Sequence, residues 1–161
     1  MKQEMTVQQP VSLDWLLDDF TGRVPGVWSA VLASNDGIRL SHSQMADITA
    51  ESVAARMTGL YSLGNGLGSV VGEPESKGGV KQVVIEHDAT SLFVMSAGRG
   101  LPAGAMRPGT DPDTVGTLLG VLAKPDADMG LIGYEMGLLI NSVAQHLVIP
   151  TRRGDASVIG H

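Results

Sequence analysis

The sequence predicts a mixed α/β (α+β) domain in which an antiparallel sheet is packed between helices. Three observations carry this. Val80 to Ala97, VKQVVIEHDATSLFVMSA, reads as a β-hairpin, with β-branched and aromatic residues in both arms and His87-Asp88-Ala89 as the turn. The second arm does not alternate: Leu92 and Val94 point one way, Phe93 and Met95 the other, so it needs cover on both faces. The segments around it read in the order helix, hairpin, helix, hairpin, strand, helix.

Met1 to Pro10 is polar and predicts a disordered tail over residues 1–11. Ser12 is the expected N-cap of the first helix, with Asp14 favouring the helix dipole. Leu13, Leu16, Leu17, Phe20 and Val24 recur at helical spacing, and Gly22 and Pro25-Gly26 end the run. Val27 to Ser34 is a strand covered on both sides. Asn35-Asp36-Gly37 is a hairpin turn, because these residues tolerate positive φ. Ile38 to His42 returns as a half-exposed edge strand.

Thr49 is the expected N-cap of a middle helix running to about Leu67. At 100° per residue, Val53, Met57, Leu60, Gly64 and Leu67 form its central apolar stripe. Ala50, Ala54 and Tyr61 widen one flank and Leu63 the other. An arc this wide exceeds what a helix needs to cover its own sheet, which predicts a second buried contact. Gly64 to Gly68 does not read as a phosphate-binding loop, because it closes a helix instead of opening one after a strand. Residues 68–79 read as a flexible loop into the hairpin. The first hairpin arm, with Lys81, Gln82 and Glu86, reads as a soluble edge strand from Val80.

Residues 98–116 hold three prolines and read as a second flexible loop. Asp111 and Asp113 there lack the further ligands of a calcium loop. Thr117 to Ala123 is apolar throughout and therefore a central strand. Asp126 is the expected cap of the last helix, whose buried stripe is Ile132, Met136, Leu139, Ile140, Val143 and Leu147. Gly130, Gly133 and Gly137 in its interior predict close backbone approach. Pro150 stops it, leaving residues 149–161 as a tail.

Composition narrows the function. The 161 residues are 43% hydrophobic, enough for a sizeable core, with a net charge of −6 that argues against nucleic-acid binding. There is no cysteine, so disulfides and thiolate metal sites are excluded. The N-terminus lacks an apolar signal core and no window is apolar enough for a membrane span, so a cytoplasmic protein is expected. There is no G-x-S-x-G elbow, H-E-x-x-H or Walker loop, and His42, His87, His146 and His161 lie in unrelated elements. No enzyme, cofactor or metal is expected.

The stretch LDWLLDDFTGRVPGVWSAVLASNDGIRL resembles the Roadblock/dynein light chain family, closest to its bacterial MglB-like members. The residues that match are the L-x-x-L-L start (Leu13, Leu16, Leu17), V-P-G-V at Val24 to Val27 and the N-D-G turn. Leu92-Phe93-Val94 and the run Asp128 to Met136 also match. The resemblance spans about Leu13 to Leu147 and places the domain at residues 12–148. It implies a profilin-like sandwich: a five-stranded antiparallel sheet with two helices on one face and one on the other. It further implies a non-enzymatic homodimer that pairs third strands and middle helices and binds a Ras-like small GTPase.

With the residues above, this gives an expected dimer interface of Met57, Leu60, Leu63, Val80, Gln82, Val84 and Glu86. Expected partner-binding residues are Ser52, Arg56, Gly59, Leu63 and Arg99. Arg56 stands about 60° from Val53, at the margin of the stripe. Arg99 and Arg107 sit in the long loop, from which an arginine could stabilise phosphoryl transfer in trans. The alternative function is a small-ligand sensory domain, which would need an interior pocket with convergent polar groups.

Overall fold

The apolar segment expected to be central is the middle of the sheet. In a computed structural model that describes residues 12–72 and 79–149, β6 (Gly116–Ala123) lies between β1 (Val27–Ser34) and β4 (Ser91–Arg99). β2 (Arg39–His42) and β3 (Val83–Glu86) form the two edges, giving the antiparallel order β2-β1-β6-β4-β3. The turn between β1 and β2 forms as the sequence asks: Gly37 takes φ +100 and its N–H donates to the Ser34 carbonyl at 2.9 Å.

Alternation along the central strands builds two core layers. Ala30, Leu32, Phe93, Leu119 and Val121 face α1 (Asp14–Arg23) and α4 (Met129–Ala144), where Leu17, Phe20, Ile132 and Met136 meet them. Val31, Ala33, Val94 and Leu118 face α2 (Asp47–Asn65), where Ala50, Ala54 and Met57 meet them. The α2 layer is built from small residues, so the helix sits close. At Gly120 an added Cβ would lie 2.5 Å from Met57 Sδ, which shows how tightly that thioether is seated on the strand.

Helix starts differ from the sequence reading, and tertiary contacts hold those of α1 and α2. α1 begins after Leu13, whose N–H donates to Ser41 Oγ on β2 at 3.0 Å. Ser12 Oγ accepts from the Asp14 N–H at 3.2 Å but does not hold the cap position. Asp14 in turn accepts from the His42 N–H at 3.0 Å. α2 begins at Asp47, two residues before the expected Thr49 cap, and Ala46 supplies no side-chain cap. Asp47 instead lies 3.2 Å from His42 Nε2. The cap of α4 is Asp128, accepting from the Leu131 N–H at 3.0 Å, and not Asp126.

Two expected loops contain structure. A short helix α3 (Leu67–Val70) continues beyond α2 into residues 68–79, of which 73–78 lie outside the described residues. Within 98–116, Gly98 and Gly100 adopt φ +122 and +87 and turn the chain out of β4. It then pairs as β5 (Leu101–Pro102) with β7 (Leu147–Val148), so Leu147 closes a two-stranded ribbon and is not part of the last helix. Leu101, Ala105 and Val115 bury one another beside Leu40. The proposed tails, with Pro150, lie outside the described residues except for Ile149.

The interior glycines of α4 do not mark close approach. An added Cβ would meet nothing within 4 Å at Gly133 or Gly137, and at Gly130 only Asp128 Oδ1 at 3.5 Å. The bulky face of Ile132, Met136, Leu139 and Val143 makes the contact with the sheet, and the glycines lie outside that arc. Gly133→Ala and Gly137→Ala should therefore each raise unfolding stability by up to about 1 kcal/mol. Gly120→Ala should lower it, because Met57 must move. Urea unfolding measures all three, and destabilisation by either α4 substitution would contradict the assignment of open space there.

Candidate interaction surface

α2 packs over β1, β2 and β6 and touches β3 more lightly. Its wide apolar arc consequently splits. Ala50, Ala54, Met57 and Thr58 are buried, Val53, Leu60 and Tyr61 are half-buried, and Arg56, Gly59 and Leu63 are exposed. Beside the open half lies a groove of 620 Å³. Val53, Arg56, Gly59 and Leu60 form its helix wall. Its floor is Ile85, Leu92 and Leu122, directly opposite one another on β3, β4 and β6. The turn at His87, Ala89 and Thr90 closes one end. His87 Nδ1 accepts from the Ala89 N–H at 2.9 Å, and Thr90 Oγ1 donates to the Ala123 carbonyl at 2.8 Å, so the rim is internally bonded.

Beyond the groove, apolar surface continues along the end of α2 and α3: Leu63 is 77% exposed and Val70 80%. Among the described residues β3 has a partner strand on one side only. Arg56 folds along its own helix, donating to Ser52 Oγ at 2.6 Å and to the Ser52 carbonyl at 3.3 Å, so its charge stays on the groove rim.

The expected site residues do not all fall together. Leu60, Arg56 and Gly59 line the groove, and Ser52 and Leu63 extend the same exposed side of α2. Met57 is wholly buried against β6 in its own chain, so it supports the surface without being on it. Val80 and Gln82 precede the β3 ladder, which starts at Val83. Val80 is drawn instead to the end of α2, where its N–H donates to Asn65 Oδ1 at 2.9 Å. Val84 and Glu86 pair with Phe93 and Ser91, residues of the opposite face, so they lie on the edge but not in the groove.

Arg99 is removed from the site. It pairs with Gly116 at the far end of β4, seven residues or about 23 Å from Leu92, and donates to the Asp113 carbonyl at 3.3 Å. Arg107 lies at that same end, beside Ser34 and Asp36. The residues missed are Val53, Ile85, Leu92 and Leu122. Val53 stood in the apolar stripe of α2, and Leu92 and Leu122 in strands apolar on both faces, but joining them to Ile85 required the register across β3, β4 and β6.

Among the described residues no group of three or more His, Asp or Glu side chains is placed to hold a metal, and no helix is long and apolar enough to cross a membrane. The sheet, its three-helix cover and the open α2 side define a Roadblock-type protein-interaction domain. The chain belongs to the Roadblock/LC7 domain family, a family of non-enzymatic interaction domains whose model matches residues 13–102. A Roadblock/LC7 domain from Streptomyces avermitilis is 41% identical, over 83% of this chain and 95% of that one, with a TM-score of 0.68. A second from Streptomyces avermitilis is 30% identical, over 81% and 96%, with a TM-score of 0.57. Myxococcus xanthus MglB shares the fold at 16% identity, over 82% and 91%, with a TM-score of 0.59. No curated protein matches the chain by sequence.

The Arg56 contacts generate a prediction. Among the described residues its guanidinium bonds only Ser52, on its own helix, so Arg56→Glu should leave the far-UV circular dichroism unchanged and move stability by less than about 0.5 kcal/mol. Loss of helical signal would show that Arg56 supports the fold.

Proposed function

We propose that this chain is a non-enzymatic, dimeric interaction module that binds and regulates a Ras-like small GTPase, as an activator or scaffold. The observation that supports the reading best is the apolar groove beside α2, bordered by the half-paired strand β3. A two-fold axis beside β3 would join the sheets of two copies and bring both α2 helices onto one face. Each helix then covers the other's groove, and Leu60 and Leu63 leave water. Val84, Ile85 and Glu86 follow as strand-edge contacts, with Val80 and Gln82 leading into them.

In this arrangement the paired helices make a platform whose exposed margins carry Ser52, Arg56 and Gly59 from both copies. Arginine suits such a margin because its guanidinium pairs with carboxylates and stacks on flat groups. The module is residues 12–148, and a GTPase partner of this class puts its site of action in the cytoplasm. A small-ligand sensor is favoured less, because the groove is open and its lining is almost wholly apolar.

Sedimentation at micromolar concentration should give about twice the 16.8 kDa chain mass, and Leu60→Asp should return it to the monomer. Immobilised parent protein should capture a Ras-like GTPase, identified by mass spectrometry, from extracts loaded with GTP or GDP, and Arg56→Glu should weaken that capture. A monomeric parent, or a dimer that captures no GTPase in either nucleotide state, would overturn the proposal.

A further inference from the structure

The face of the sheet opposite α2 also carries uncovered apolar side chains. There α1 and α4 run antiparallel. Arg23 at the end of α1 donates to Glu135 Oε1 at 2.5 Å, early in α4. At the other end Trp15 meets the His146 ring edge-on, with centroids 5.9 Å apart and planes at 89°. Along α4, Leu131, Tyr134 and Leu138 fall three and four residues apart, in one outward row, and are 36%, 65% and 44% exposed. Trp15 on α1 is 59% exposed despite its contact with His146. Large aromatic and aliphatic groups left open in a row, on helices whose inner faces are already buried, mark an interaction surface.

The charge around this row decides what fits it. α1, α4 and the Asp128 cap carry Asp14, Asp18, Asp19, Asp128 and Glu135 against Arg23 alone, giving 1 − 5 = −4 in a chain of net charge −6. Arg23 is already engaged by Glu135, and by Asp19 at 3.4 Å, and these hold its pKa above the ordinary arginine value. Asp18 and Asp19, both exposed, follow Trp15 by three and four residues, one turn along the same helix. A second copy of this face would set −4 against −4, and an anionic lipid surface or nucleic acid would be repelled in the same way. A helix with Leu, Ile or Val on one side and Lys or Arg on its flanks satisfies the apolar row and the carboxylates together.

We infer that the α1–α4 face docks a basic amphipathic helix of a partner protein. Tyr134 and Leu138 receive its apolar side, Trp15 borders it, and Asp18 and Asp19 pair with its cations. The sheet separates this face from α2, so the docking is independent of what binds the groove.

The test uses the full chain and a fluorescent synthetic peptide of Leu and Lys, about 18 residues long, with its leucines on one helical face. A second peptide carries Glu in place of Lys. Anisotropy should show saturable binding of the Lys peptide that weakens as salt rises, and no binding of the Glu peptide. Tyr134→Ala with Leu138→Ala, and separately Asp18→Asn with Asp19→Asn, should each weaken binding about tenfold. Ile48→Ala on the α2 side should not. All these side chains are exposed, and circular dichroism confirms that each variant is folded. Failure of the Lys peptide to bind, equal binding of both peptides, or equal loss in Ile48→Ala would overturn the inference. So would sedimentation showing a higher oligomer of this chain that Tyr134→Ala and Leu138→Ala dissociate.

Discussion

The structure depends on one mismatch of widths. Its central strands are apolar on both faces, so both faces need cover. Five strands at about 4.8 Å spacing put the outer strands about 19 Å apart, whereas a helix with its side chains is about 10 Å across. Two helices, α1 and α4, suffice for one face, and Phe20, Phe93, Ile132 and Met136 are completely buried there. One helix cannot suffice for the other. The layer under α2 closes around Val31, Ala33, Val94 and Leu118, while Leu92, Leu122 and Ile85 floor an open groove.

Which half stays open is set by anchoring. The start of α2 is tied to β2 by Asp47 with His42 at 3.2 Å and by Glu51 with Arg39 at 3.6 Å. Each pair has an exposed carboxylate and is worth at most about 1 kcal/mol, but together they fix direction. The closer constraint is steric: Ala50, Ala54 and Gly120 let α2 descend over β1 and β6, with Met57 filling the space above Gly120. A helix held there cannot also lie over the outer part of β4 and β3. The groove is thus a consequence of small residues placed elsewhere, and the exposed flank of α2 is its wall.

Much of this was legible in the sequence because it rests on local pattern. Val27 to Ser34 has the strand bounds expected, the Asn35-Asp36-Gly37 turn forms, and the central place of β6 follows from its lack of charged residues. The excess width of α2 announced a surface at Leu60, Leu63 and Arg56. What was not legible depends on distant partners. At the start of α1, Ser41 Oγ accepts from the Leu13 N–H in place of the expected Ser12 cap, and Asp14 accepts from the His42 N–H. The ribbon inside 98–116 exists only because Leu147 and Val148 return to meet it. Met57 looked like interface because periodicity gives the radius of an arc but not which part faces the sheet. The α4 glycines read as contact points, yet the neighbouring bulky row makes the contact.

In the proposed dimer, α2 leaves β3 and the groove for a second copy of the chain to close. Hydrogen exchange at the β3 amides, followed together with sedimentation across a dilution series, tests it most directly. The His87 N–H bonds Thr90 within the chain, so by alternation the Val84 and Glu86 amides face the free edge; slow exchange at these two should appear with the dimer and be lost in the same concentration range as it dissociates. A dimer in which these amides exchange as fast as in the monomer would contradict it.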